Sequence, residues 1–219
     1  MEREKAYHHG HLKEELLRLG LEALERDGIE GLSLRALAEA AGVSKTAPYR
    51  HFPDKTLFLG ALSNEGFRVL YGQVTLAINA GGDSIARMGS AFMKFAVERP
   101  VLYRLMNSTM MCSMPEEYWY WGRKALDLLG STIAAALGGA SKVHVGARGR
   151  LRETENGGAD SDALAAAWAY MHGLVLLRID RLFPAYLKEP DWERLAATLP
   201  GLEGLRPSGR GGGQGKGGG

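Results

Sequence analysis

Apolar residues recur along this chain at spacings of three and four, and the pattern reads as a succession of amphipathic helices. Leu12, Leu16, Leu19, Ala23 and Leu24 keep one face apolar until Gly28 ends the run. Leu34, Leu37, Ala38 and Ala41 then fall at i, i+3, i+4 and i+7, with Ser33 placed to cap that helix. Gly42 suits a left-handed turn that would strain other residues. Ser44 is placed to cap a second, very short helix, which Phe52 and Pro53 terminate. This second helix carries Lys45, Thr46, Tyr49 and Arg50, all able to hydrogen-bond, and few residues able to fill a core. Helix, tight turn and polar short helix together predict a recognition element held at a steep angle to its support.

Beyond it, Asp54 is placed to cap a longer helix containing Leu57, Phe58, Ala61, Leu62, Phe67 and Leu70. Gly81-Gly82 breaks the pattern, and Asp83 opens a helix with Ile85, Met88, Phe92 and Phe95 on one face. Arg99-Pro100 ends that helix and starts a short one to about Met110. Pro115 opens another, aromatic at its start and carrying Leu126, Leu129, Ile133 and Leu137. Residues 138–160 are rich in glycine and small polar residues without helical period, which predicts a disordered loop. Leu164, Trp168, Met171, Val175 and Leu182 define the next helix, apolar nearly all round and therefore buried on several sides. Asp191 is placed to cap a last short helix, and residues 206–219 form a glycine-rich tail without core potential.

The run Gly42-Val43-Ser44-Lys45-Thr46-Ala47-Pro48-Tyr49-Arg50-His51-Phe52-Pro53-Asp54-Lys55 resembles the helix-turn-helix signature of TetR-type bacterial transcriptional regulators. The resemblance covers roughly residues 7–60. It implies that Lys45, Thr46 and Tyr49, joined by Arg35, face base edges, while Ser33, Ser44, His51 and Lys55 serve phosphates. Lysine donates to guanine in the major groove, and a threonine methyl meets a thymine methyl. Because such heads are small, two act together on a two-fold operator. Further on, Trp168, His172 and Gly173 resemble a Trp-His-Gly pattern in the C-terminal domains of one subgroup of that family. Family resemblance also implies an effector pocket in the C-terminal body. Phe95, Met106, Met110, Trp119, Trp168, Met171 and His172 are its candidate lining, although the same residues fit an ordinary core.

Composition narrows the alternatives. The formal net charge is +2, and residues 1–60 hold nine Lys/Arg against ten Asp/Glu, so affinity for DNA rests on placed contacts, not on a basic surface. No apolar run approaches the ~20 residues that span a bilayer, and Glu2 to Lys5 is charged with no apolar stretch behind it, unlike a secretory signal. Cys112 is the one cysteine and can form no internal disulfide, so a cytoplasmic location is the expectation. His8, His9 and His11 lack a nearby ligand to complete a metal site, and no metal or cofactor is assigned. Nucleophile-elbow, phosphate-loop and zinc-hydrolase motifs do not occur, which leaves an enzyme without a basis.

The expectation is thus an all-α protein: an arm at 1–10, a three-helix DNA-binding head at 11–55, and a regulatory and dimerising body at 56–205. The resemblance implies a homodimeric repressor, paired through helices near 116–137 and 162–183 and released from its operator by a small, largely apolar or aromatic effector. A DNA-binding protein without ligand, or an interaction module that has lost DNA binding, stays open.

Overall fold

A computed structural model describes residues 11–136, 144–145, 151–152 and 157–198. The arm at 1–10 with His8 and His9, most of 138–160 and the tail at 206–219 lie outside the described residues.

Eight α-helices account for most of the described chain: α1 (Leu12–Gly31), α2 (Leu34–Ala40), α3 (Lys55–Asn79), α4 (Ser84–Glu98), α5 (Pro100–Met106), α6 (Tyr120–Ala136), α7 (Gly157–Ile179) and α8 (Trp192–Ala196). Four of the five expected caps are made. Ser33 Oγ accepts from Ala36 N at 3.4 Å, Asp54 from Leu57 N at 2.8 Å, Asp83 from Ile85 N and Ala86 N, and Asp191 from Arg194 N. Each satisfies an amide that the first turn of a helix leaves without a partner.

Gly28, at φ 73° and ψ 179°, lies outside helical geometry and ends the first run of α1 as expected, with a short helical stretch following to Gly31. The structure departs from the sequence expectation elsewhere. Residues 138–160, assigned to a loop, contain β1 (His144–Val145) paired antiparallel with β2 (Leu151–Arg152), and α7 starts at Gly157. A two-residue strand has no period to read, and two glycines oppose a helix start by propensity alone.

The core is continuous from head to body. Leu16, Leu24, Phe52, Phe58 and Leu62 fill the head, and Phe95, Leu102, Tyr103, Met106 and Val175 fill the body. Helix α3 runs through both, packing on α1 at one end and on α4, α5 and α6 along the rest. At Gly20 of α1 a side chain would sit 2.6 Å from Phe58 Cζ, so α1 and α3 approach as closely as glycine allows. Gly66 makes a matching notch on α3 for Leu102 and Met106 of α5. No described helix is long and apolar enough to cross a membrane.

Candidate nucleic-acid interface and apolar cavity

The recognition element is tighter than the sequence predicts. Ala47–Arg50 forms a single 3-10 turn in place of an α-helix beginning at Ser44. Pro48 has no N–H to give the carbonyl of Ser44, and Ala47 N takes that acceptor at 2.9 Å. Tyr49 N to Thr46 O at 3.3 Å and His51 N to Pro48 O at 3.0 Å continue the short pattern. Ser44 does not cap: its Oγ lies 3.2 Å from Thr46 Oγ1, and Thr46 occupies the cap position without its side chain bonding a helix amide. Gly42 takes φ 68°, as the turn after α2 requires. The turn is anchored from inside by buried Pro48 and Phe52, the latter meeting Phe58 edge to face at 4.8 Å.

Anchoring inward leaves the polar side chains outward. Ser33, Arg35, Ser44, Lys45, Thr46, Tyr49, Arg50 and His51 are all exposed, on the start of α2 and on the turn packed against it. Tyr49 keeps 41% of its surface open, unusual for an aromatic residue in a domain with a core to fill. Lys55 differs: it is half-buried, and its Nζ donates to the carbonyl of Glu30 at 3.1 Å, tying the start of α3 to the end of α1.

In the body, a cavity of about 40 Å³ lies between α3, α4, α6 and α7. Its wall is formed by Phe67, Leu70, Tyr71 and Val74, by Met88 and Phe92, by Ala125, Leu126, Leu128 and Leu129, and by Trp168. Among the seven residues proposed from sequence, only Trp168 lines it. Phe95, Met106 and Met171 are buried core residues, Met110 packs on the edge of the core, and Trp119 sits beside Gly122 at the start of α6. His172 stands one turn from Trp168, the rings stacked at 6.1 Å and 7°.

Trp168 and His172 belong to an aromatic group behind the cavity wall. Phe92 meets Trp168 and Tyr103 edge to face at 6.2 and 5.8 Å, and Tyr103 Oη lies 2.7 Å from His172 Nδ1. Burial raises the Tyr103 pKa and lowers that of His172. Both shifts favour neutral partners, and the tautomer of His172 sets which of the two donates. Sequence reasoning missed Phe92 and Tyr103 as members of this group. It also missed Glu25, whose Oε1 accepts from Leu102 N at 2.8 Å and Oε2 from Val101 N at 3.2 Å. Among the described residues no cluster of His, Cys, Asp and Glu could hold a metal.

A helix-turn-helix head with an outward polar turn, on a helical body enclosing an apolar cavity, defines a DNA-binding regulator. Residues 16–62 match the family of bacterial regulatory proteins of the TetR type, and residues 85–199 match the Tetracyclin repressor-like C-terminal domain. The chain belongs to the TetR family: it is a transcriptional regulator with a DNA-binding domain and a C-terminal domain of ligand-binding type, and not an enzyme. Over 51 residues it is 45% identical to the class C tetracycline repressor of Escherichia coli, a match spanning 23% of each protein. A Rhodococcus sp. RHA1 protein of unknown function shares the fold with a TM-score of 0.67 and 27% identity, covering 91% of this chain and 95% of that one. PfmR, a TetR family regulator from Thermus thermophilus, superposes with a TM-score of 0.52 at 18% identity, covering 87% and 96%. AibR, solved in complex with isovaleryl coenzyme A and operator DNA, does so with 0.52 at 15% identity, covering 84% and 93%.

Proposed function

We propose that this regulator is a cytoplasmic repressor that binds a palindromic operator as a homodimer and leaves it when a small, largely apolar or aromatic molecule enters the body. The observation that carries the DNA half of this reading is the outward turn at 44–51. Its polar side chains are exposed while Pro48 and Phe52 hold the backbone from within. We assign Lys45, Thr46, Tyr49 and Arg35 to base edges, and Ser33, Ser44, His51 and Lys55 to phosphates. Lys55 must exchange its Glu30 carbonyl for a phosphate oxygen to do so.

Pairing through α6 and α7 is supported by the outer face of α7. Ala165, Ala169, Gly173 and Leu177 follow one another at intervals of four, and a side chain added at Gly173 would meet nothing within 4 Å. The small residues Ala165, Ala169 and Gly173 permit a close helix-helix approach from outside, with exposed Leu177 beside them. The effector half is supported by the cavity, whose wall offers no charged group. Ligand sites for drug-sized molecules run to ~300–1,000 Å³, so an effector would have to displace Phe92 and Trp168. It shifts the equilibrium only by binding the displaced arrangement better.

The test is fluorescence anisotropy of labelled DNA from the region upstream of the protein's own coding sequence, titrated at near-physiological salt against nonspecific competitor. Competitor-resistant binding at two chains per site, or a multiple of two, is the expected result. Binding that modest salt abolishes would reduce the interaction to phosphate contact alone.

A further inference from the structure

The contact between Glu25 and α5 joins the head to the body through a second pair of helices, besides the continuous run of α3. Pro100 has no N–H, and the amide of Tyr103 bonds to Arg99 O at 2.9 Å. That leaves Val101 and Leu102 as the amides at the start of α5 without a partner in their own helix. Both donate to the carboxylate of Glu25, 76 and 77 residues earlier in the chain. A carboxylate accepting two backbone amides makes charge-assisted bonds, stronger than neutral ones.

The mechanical consequence follows from where Glu25 stands on α1. Gly20, five residues before it and about 7.5 Å along the helix axis, is pressed against Phe58 and Leu62 of α3. Beyond Glu25, the carbonyl of Glu30 holds Lys55. Helix α1 is therefore fixed to the head on either side of Glu25 and to the body at Glu25 itself. If α3 were the sole connection, the head could swing about the axis of that helix. A second attachment off that axis removes the freedom.

Helix α5 is in turn held from the body side. Leu102 and Met106 fill the notch at Gly66, Tyr103 bonds His172 at 2.7 Å, and Arg104 pairs with Asp180. Resting on the DNA-binding reading above, we propose that Glu25 is a positioning residue for operator recognition: by clamping the amides of Val101 and Leu102 it sets the angle of the head, and through Tyr103 it ties that angle to the aromatic wall of the cavity. A cap that only stabilised α5 would affect unfolding and nothing else. A positioning residue also controls which separation of half-sites the protein accepts.

The experiment uses the full chain and its Glu25→Gln and Glu25→Ala variants. The glutamine keeps the shape while losing the charge and one acceptor, and it decides the matter if the alanine variant fails to fold. DNA enriched by the wild type from a random pool is rebuilt with the half-sites one base pair closer and one base pair further apart. Loss of the clamp is expected to lower discrimination between the selected and altered spacings by roughly tenfold. In parallel, spin labels at Glu39→Cys and Lys94→Cys in a Cys112→Ser background, diluted with unlabelled chain, report the head-to-body distance without DNA. The distribution is expected to broaden in both Glu25 variants. An unchanged spacing profile together with an unchanged distance distribution overturns the proposal, whatever happens to thermal stability. If the wild type enriches no DNA, the operator reading fails, and the label distances still decide whether Glu25 sets the head.

Discussion

Replacing Gly20 by alanine tests whether the head is built as described, because two opposed effects of known size meet at that position. An alanine Cβ would lie 2.6 Å from Phe58 Cζ and 3.0 Å from Leu62 Cδ2. Carbon atoms rest at about 3.5–4 Å, so the Phe58 ring must retreat by about 1 Å. It has little room, being fully buried with its ring against Phe52 at 4.8 Å. Overpacking of this kind costs about 1–3 kcal/mol. Removing a glycine from a helix interior returns about 0.5–1 kcal/mol. The net expectation is a loss of about 1–2 kcal/mol in urea unfolding followed by circular dichroism. Gly72→Ala is the control, since nothing lies within 4 Å of its added carbon and only the favourable term remains. That variant should gain about 0.5–1 kcal/mol. Displacing Phe58 also pushes on Phe52 and the turn at 47–50, so Gly20→Ala should weaken operator binding while Gly72→Ala does not. If both variants are stabilised alike, the close approach of α1 and α3 is wrong.

Lys45→Ala and Tyr49→Ala should each lower specific DNA affinity by about tenfold or more, a base contact being worth ~1–3 kcal/mol, with urea midpoints unchanged because both side chains are exposed. Lys55→Ala should lower both affinity and stability, since it also loses its bond to Glu30 O. For His172, burial holds the folded pKa below the ordinary 6.5. The unfolded chain then binds the extra proton first, so this group's contribution to stability is intact above that value, falls as pH drops through it and levels off below the folded pKa. His172→Gln should remove that part of the slope in unfolding midpoints taken between pH 7.5 and 5, and a slope of opposite sign would refute the burial argument. Gly173→Ala should leave the fold intact within one chain and weaken association in sedimentation, whereas undiminished association would move the interface away from α7.

What the sequence made legible was local. The caps at Ser33, Asp54, Asp83 and Asp191 could be read because donor and acceptor lie two or three residues apart. The same holds for the turn at Gly42. The geometry of the recognition element is less legible, because propensity favours a helix where a proline near its start removes the first α-type bond. The lining of the cavity is not a local property. Met106, Phe95 and Met171 have the chemistry of a pocket lining, but which face of each helix borders empty space depends on neighbours far along the chain. Glu25 carries no local signal at all. It looks like one more charge in the run from Glu22 to Asp27, and its partners lie more than seventy residues away.

The central claim is that this chain reads a two-fold DNA sequence through the turn at 44–51. Selection from a random duplex pool with the full-length protein, at near-physiological salt and with nonspecific competitor, tests it most directly. The account predicts enrichment of an inverted repeat whose half-sites lie about one helical turn apart or a multiple of it, and loss of that enrichment with Tyr49→Ala. Failure to enrich any sequence, or enrichment unaffected by Tyr49→Ala, would contradict it.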